Sequence, residues 1–140
     1  MSMSENKAIE YKFSGLIDTQ PVASGEIHIY KAALLNFNAN GYLKLGADTS
    51  GEAFAGVAMN ELVQATGLDL GYNSMKFMRA GSKAIIENVT INTAVDQSNL
   101  GDNVYVMADD AVDLTGGSSN KVLAGTIFNI KSSTLIDVQI

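Results

Sequence analysis

Leu34-Leu35-Asn36-Phe37-Asn38-Ala39-Asn40-Gly41-Tyr42-Leu43-Lys44-Leu45 reads as two short apolar strands around a polar turn. The Asn40-Gly41 pair tolerates the positive φ that a tight turn needs, so a β-hairpin is the economical reading. The same grammar extends in both directions. Upstream, Glu26-Ile27-His28-Ile29-Tyr30 and Ile9-Glu10-Tyr11-Lys12-Phe13 alternate with the period of two of a half-buried strand. Downstream, Asp48-Thr49-Ser50-Gly51 turns into the apolar residues 53–59, and Ala80-Gly81 separates residues 75–79 from 83–89. Asp96-Gln97-Ser98-Asn99-Leu100-Gly101 leads into residues 103–107. A short strand over 112–115, the loop Gly116-Gly117-Ser118-Ser119-Asn120, and strands over 122–130 and 135–140 complete the chain.

Short strands at near-regular spacing, with no long helical pattern between them, predict an all-β fold with little or no helix. A compact β-sandwich, a jelly roll and a small β-barrel all satisfy this pattern, as does a β-tulip-like arrangement. Residues 1–8 read as a flexible polar arm and residues 9–140 as a single all-β domain with no clear internal repeat. Residues 60–72 admit two readings. Met59, Leu62 and Val63 have helical spacing that Gly67 could cap; alternatively, a strand opens into a loop carrying Gly67 and Gly71. Ile136, Val138 and Ile140 share one face of the last strand, which is expected to pair inside a sheet.

The 140 residues are 46% hydrophobic, but no apolar run approaches the roughly 20 residues that span a bilayer. The start of the chain lacks the charged and apolar regions of a secretory signal. There is no cysteine, which excludes disulfides, thiolate nucleophiles and cysteine-ligated zinc. Nine basic residues stand against fifteen acidic ones, a net charge of −6, the wrong balance for neutralising phosphates. Glu87, Asp96, Asp102, Asp109, Asp110 and Asp113 fall in a stretch without any basic residue, between Lys83 and Lys121. This reads as a solvated acidic face.

Catalytic sets are hard to assemble from this chain. His28 is the only histidine, too few for a histidine metal site, and no Gly-x-Ser-x-Gly nucleophile elbow accompanies it. The carboxylates are scattered in turns, and no tryptophan provides a sugar platform. Asp109, Asp110 and Asp113 lack the spacing of a calcium loop. The glycine-rich stretches match neither phosphate-binding pattern and are explained by turn geometry. The expectation is a non-enzyme with no cofactor and no metal.

The order of several segments is similar to that of the capsid decoration, or cement, proteins of tailed bacteriophages. These segments are Tyr30-Lys31-Ala32-Ala33-Leu34 with Gly41-Tyr42-Leu43, then Ala53-Phe54-Ala55-Gly56-Val57-Ala58, then residues 75–82 with Arg79-Ala80-Gly81. Leu100-Gly101-Asp102-Asn103-Val104-Tyr105-Val106 and Ala124-Gly125-Thr126-Ile127 follow. Two departures stand out: Ala32 occupies the position where that family opens with glycine, and residues 60–74 fit the pattern poorly.

The resemblance implies a structural virion protein, made in the host cytoplasm, that clamps neighbouring major capsid subunits on the outer surface of an icosahedral head. Its partners would be the major capsid protein and itself, as a homodimer or homotrimer, with no nucleic acid and no membrane. Met1, Ser2, Met3, Ser4, Glu5, Asn6 and Lys7 are candidate capsid contacts. Ile27, Ile29, Phe54, Val57, Ile136, Val138 and Ile140 are candidates for self-association, against the competing reading that they are core. A tail or fibre module and a small carbohydrate-binding β-sandwich are the alternatives.

Overall fold

The computed structural model describes residues 3–6, 16–26, 28–64 and 73–140. The strand expected over residues 9–13 and the Gly67–Gly71 region lie outside them. The chain is all-β, and helix among the described residues is confined to two 3-10 turns, Gln97–Asn99 and Thr115–Gly117. The first of these is held by a reciprocal cap: Ser98 N donates to the Asp96 carboxylate, and Asp96 N donates to Asn99 Oδ1.

The strands are β1 (Ile17–Pro21), β2 (His28–Ile29), β3 (Leu34–Phe37), β4 (Leu43–Leu45), β5 (Ala53–Ala58) and β6 (Leu62–Val63). They continue as β7 (Ser74–Arg79), β8 (Ile85–Ile91), β9 (Asn103–Ala108), β10 (Ala111–Asp113), β11 (Leu123–Ser132) and β12 (Leu135–Gln139). The predicted hairpin is β3–β4, with Phe37 opposite Leu43. In the ambiguous region, residues 62–63 are strand and pair with β2. The second half of the chain closes into a barrel in the order β10-β8-β12-β11-β9, one of the small all-β architectures that the strand pattern allows.

The first half forms a sheet in the order β1-β7-β5-β3-β4. Its two edges meet through one parallel bridge between Val22 and Leu43, so this sheet also curls round on itself. The two halves share one topology. In chain order, each has a first strand antiparallel to the fifth, the fifth to the fourth, the fourth to the second and the second to the third. The third then lies parallel to the first: Val22 beside Leu43 in one half, Ile91 beside Val112 in the other.

The correspondence reaches single hydrogen bonds. Ala32 N→Ala58 O, Ala58 N→Ala33 O and Ala33 N→Tyr30 O in the first half match Gly101 N→Ile127 O, Ile127 N→Asp102 O and Asp102 N→Asn99 O in the second. Ala23 N→Leu43 O matches Asn92 N→Val112 O, and Arg79 N→Leu16 O matches Ile140 N→Ala84 O. Both fourth strands carry the same β-bulge: Asn36 faces Phe54 but Leu35 faces Gly56, just as Tyr105 faces Leu123 but Val104 faces Gly125. Gly56 and Gly125 stand 69 positions apart, and residues 42–60 align without a gap on residues 111–129 with five identities in nineteen positions. The expectation of no internal repeat is therefore overturned. The repeat resides in backbone hydrogen bonds and register, which tolerate nearly any side chain.

Leu35, Leu43, Ala55, Ala58, Met75 and Phe77 line the first barrel, and their counterparts Val104, Val112, Ala124, Ile127, Ile136 and Val138 line the second. Each large side chain so buried contributes about 1.5–3 kcal/mol. The barrels are joined by an apolar seam. Leu34, Phe54, Val57 and Met78, on the outer face of the first barrel, belong to one buried cluster with Ala84, Val106, Val122 and Ile140 of the second. Those four second-barrel residues all lie at the barrel end that carries the β9–β10 turn. The first barrel's outer wall therefore plugs the rim of the second.

Candidate functional surfaces

The seam between the barrels is where polar side chains gather. Leu34 N donates to Asp109 O at 2.8 Å, fastening β3 to the β9–β10 turn. Asp48 reaches across from the first barrel and accepts from Ser119 N and Asn120 N, each at 2.8 Å, and from Ser118 Oγ at 3.3 Å. These donors hold its carboxyl below the usual range, Ser119 N–H most strongly and against the opposing effect of burial. Beside it, Asn36 is fully buried and donates to Ala47 O and Glu52 Oε1, while Lys44 pairs with Glu52 at 2.9 Å. Burial pushes Glu26 and Asp109 upward. The Leu45 N–H and the Lys44 charge partly offset this for Glu26, and the Met3 N–H does so for Asp109.

The candidate capsid contacts divide. Met3 is buried against the first barrel and its N–H donates to Asp109 Oδ1 at 3.1 Å. Asn6 accepts from Lys31 N and donates to Glu61 Oε1. Residues 3–6, read from sequence as part of a flexible arm, are thus tied to the barrels at both ends, with Ser4 and Glu5 exposed between the ties. Met1, Ser2 and Lys7 lie outside the described residues.

The self-association candidates are core. Ile29, Phe54, Val57, Ile136, Val138 and Ile140 are all buried within the single chain and offer no surface to a partner; Ile27 lies outside the described residues. The sequence reading missed the reason. Period-two alternation marks an apolar face, but a strand in a two-barrel molecule can bury both faces, one inside its barrel and one in the seam.

His28 Nε2–H donates to Glu61 Oε2 at 2.6 Å and the ring stacks on Tyr30 with centroids 4.0 Å apart, so it belongs to a half-exposed surface cluster. Asp113 accepts from Thr93 N and Leu114 N, and Asp137 from Asn88 N with Lys131 Nζ at 3.4 Å. Each of these buried carboxylates accepts from backbone N–H groups of the chain, and among the described residues no three metal-binding side chains converge. Among them, too, no helix is long and apolar enough to cross a membrane.

The residues that sequence reasoning passed over lie on the second barrel's outer face. Asp102, Asn103, Tyr105, Leu114 and Thr115 line an open cleft of about 380 Å³. Lys121 Nζ lies 5.7 Å from the centre of the Tyr105 ring at its side. Leu123, exposed at 52%, stands opposite Tyr105 on the neighbouring strand. No protein-family model, no curated protein and no solved structure matches the chain.

Proposed function

We propose that this protein is a structural clamp that binds the outer surface of an icosahedral phage head and ties neighbouring major capsid subunits together. The observation that supports this reading is where the cement-protein-like segments fall. They fall at the starts of β3 and β4, along β5 and β7, in β9 and at the β11 bulge, on strands that the two barrels repeat. A clamp needs stiffness more than reactivity. It adds contacts that must break before a pressurised shell opens, and a rigid all-β body loses little conformational freedom when it docks. Among the described residues of the N-terminal segment, Ser4 and Glu5, exposed between the Met3 and Asn6 ties, are the candidate shell contacts in this reading.

The test is cosedimentation with decoration-free heads assembled from the major capsid protein encoded in the same genome, followed by electron microscopy. Saturable occupancy, with heads that survive higher temperature, is the expected result. Heads that stay bare at saturating protein overturn the proposal. Ser4→Trp with Glu5→Lys separates the N-terminal contact from the rest: occupancy falls if that segment touches the shell and is unchanged if it serves only the seam.

A further inference from the structure

The internal repeat gives the protein two outer faces of one design and two rims of one design, of which the described residues cover one each. The first barrel's face, Leu34, Phe54, Val57 and Met78, is buried on the second barrel's rim. By the register of the repeat, the second barrel's corresponding face is Asn103, Leu123, Thr126 and Gln139, with Phe128 in the place of Met59. The first barrel's corresponding rim is Leu16, Phe37, Ala53 and Arg79, with the β3–β4 turn of residues 38–41.

We infer that these unused halves dock on each other between chains: the β3–β4 rim of one copy seats on the second-barrel face of the next, in a head-to-tail contact that repeats the intramolecular seam. Three observations carry this. First, the cleft lined by Asp102, Asn103, Tyr105, Leu114 and Thr115 corresponds position by position to Ala33, Leu34, Asn36, Leu45 and Gly46. In the first barrel that place is filled by the β9–β10 turn. Asp109 O accepts from Leu34 N there, and a Cβ on Gly46 would come within 2.9 Å of Val106 Cγ1. The cleft is the same socket without its plug, and the β3–β4 turn is that plug's counterpart, with a backbone of its own because Gly41 takes φ +84° where Asp110 does not.

Second, exposed apolar side chains collect on these two surfaces. Leu16 (61%) and Ile17 (50%) flank the free rim; Leu123 (52%) and Phe128 (43%) stand on the free face. Third, the free face has the composition of a surface that must survive in water before it is covered. Leu34, Val57 and Met78 are replaced by the similarly sized but polar Asn103, Thr126 and Gln139. The core of a permanently buried contact is more apolar than that of a reversible one. Thr115 in the place of Gly46 sets the partner's turn slightly further out.

Because face and rim are different surfaces, the contact is heterologous: it gives a ring where the rotation closes and an open filament where it does not. It stands on the repeat alone and does not depend on capsid binding.

The test uses the full chain in sedimentation velocity. Wild type at about 100 µM, where contacts with a Kd of ~10 µM would be mostly filled, is expected well above its 14.8 kDa monomer mass. Leu123→Asp on the face and Leu16→Asp on the rim should each reduce the protein to monomer, with circular dichroism confirming that both remain folded. Their equimolar mixture should form a two-chain species and nothing larger, since one intact face and one intact rim remain to meet. A monomeric wild type overturns the inference and marks the polar face as a mere end cap. Variants that still assemble, or a mixture that stays monomeric, overturn it as well.

Discussion

The two barrels share a backbone but differ in how they are finished. At the second barrel's rim, Ala84, Val106, Val122 and Ile140 are covered by the first barrel's wall. At the first barrel's rim, the same positions are Leu16, Phe37, Ala53 and Arg79, and the Arg79 guanidinium lies 5.9 Å from the centre of the Phe37 ring while pairing with Asp18. One end is covered by another barrel; at the other, among the described residues, a cation lies over an aromatic ring and the apolar side chains beside it stay exposed. The walls differ in the opposite sense: Leu34, Val57 and Met78 are apolar where Asn103, Thr126 and Gln139 are polar. A repeat whose copies occupy different environments diverges first in the residues that meet those environments, and last in the backbone that both must form.

The largest expected effect breaks the comparison at its centre. Val57 and Thr126 are equivalent, yet Val57 is fully buried in the seam and Thr126 is half-exposed. Val57→Asp places a carboxylate in the seam without a partner and should cost about 4 kcal/mol. Thr126→Asp should cost under ~1 kcal/mol. Urea denaturation of both variants measures the difference; equal losses would mean that the two walls are not distinguished by the seam.

A second pair should show sameness where the first shows difference. Cβ atoms at Gly56 and Gly125 would come within 1.9 Å of Met78 O and 2.1 Å of Gln139 O, so either alanine forces two strands apart at the shared bulge. Both should destabilise by roughly 3 kcal/mol. Gly56→Ala should be the worse, because Gly56 also sits at φ +147°, where an L side chain is strained. Thermal unfolding of the two variants ranks them.

Asp48 tests the polar half of the seam. Asp48→Ala removes three acceptor contacts to residues 118–120 and should cost about 1–2 kcal/mol at neutral pH. The carboxyl's acidity is raised on folding, so its contribution is present above the usual carboxylate range and fades as pH falls through its lower folded value. The gap between wild type and Asp48→Ala should therefore narrow in acid. A gap that stays constant down to pH 2 would show that the charge contributes nothing.

Much of this architecture could be read in the sequence, and the unread part has a physical cause. Asn40-Gly41, Asp48 to Gly51 and Asp96 to Gly101 marked turns because turn chemistry is local, and strand alternation marked the all-β class. The repeat escaped because barrel linings substitute freely. Phe77 answers to Val138 and Met75 to Ile136, each apolar but otherwise unlike, and the identities that remain, such as Ala55-Gly56 with Ala124-Gly125, are small residues common in any β protein. The seam escaped for the reason already visible in Phe54 and Val57. An apolar strand residue declares that it is buried, not against what. The cleft at Tyr105 could be found only by setting one barrel on the other.

The smallest expected effect comes from the pair that best joins sequence to backbone. Ala32 has φ +75° and its counterpart Gly101 has φ +84°, with the same hydrogen bonds on either side. A left-handed conformation costs a non-glycine residue roughly 1 kcal/mol, so one barrel bears a strain that the other avoids. Ala32→Gly relieves that strain but adds freedom to the unfolded chain, an opposing loss of about 0.4–1 kcal/mol, and the net change should be a rise in stability of ~0.5 kcal/mol or less. Gly101→Ala has open space for its Cβ, and its conformational cost of about 1 kcal/mol is partly offset by the stiffer unfolded chain, leaving a destabilisation of ~0.5 kcal/mol or less. The double exchange places each residue in the other's barrel. If the two turns are equivalent, its stability should equal the sum of the single changes, since the positions lie in different barrels. A deviation from that sum larger than about 0.5 kcal/mol would show that strain in one barrel is transmitted through the seam to the other.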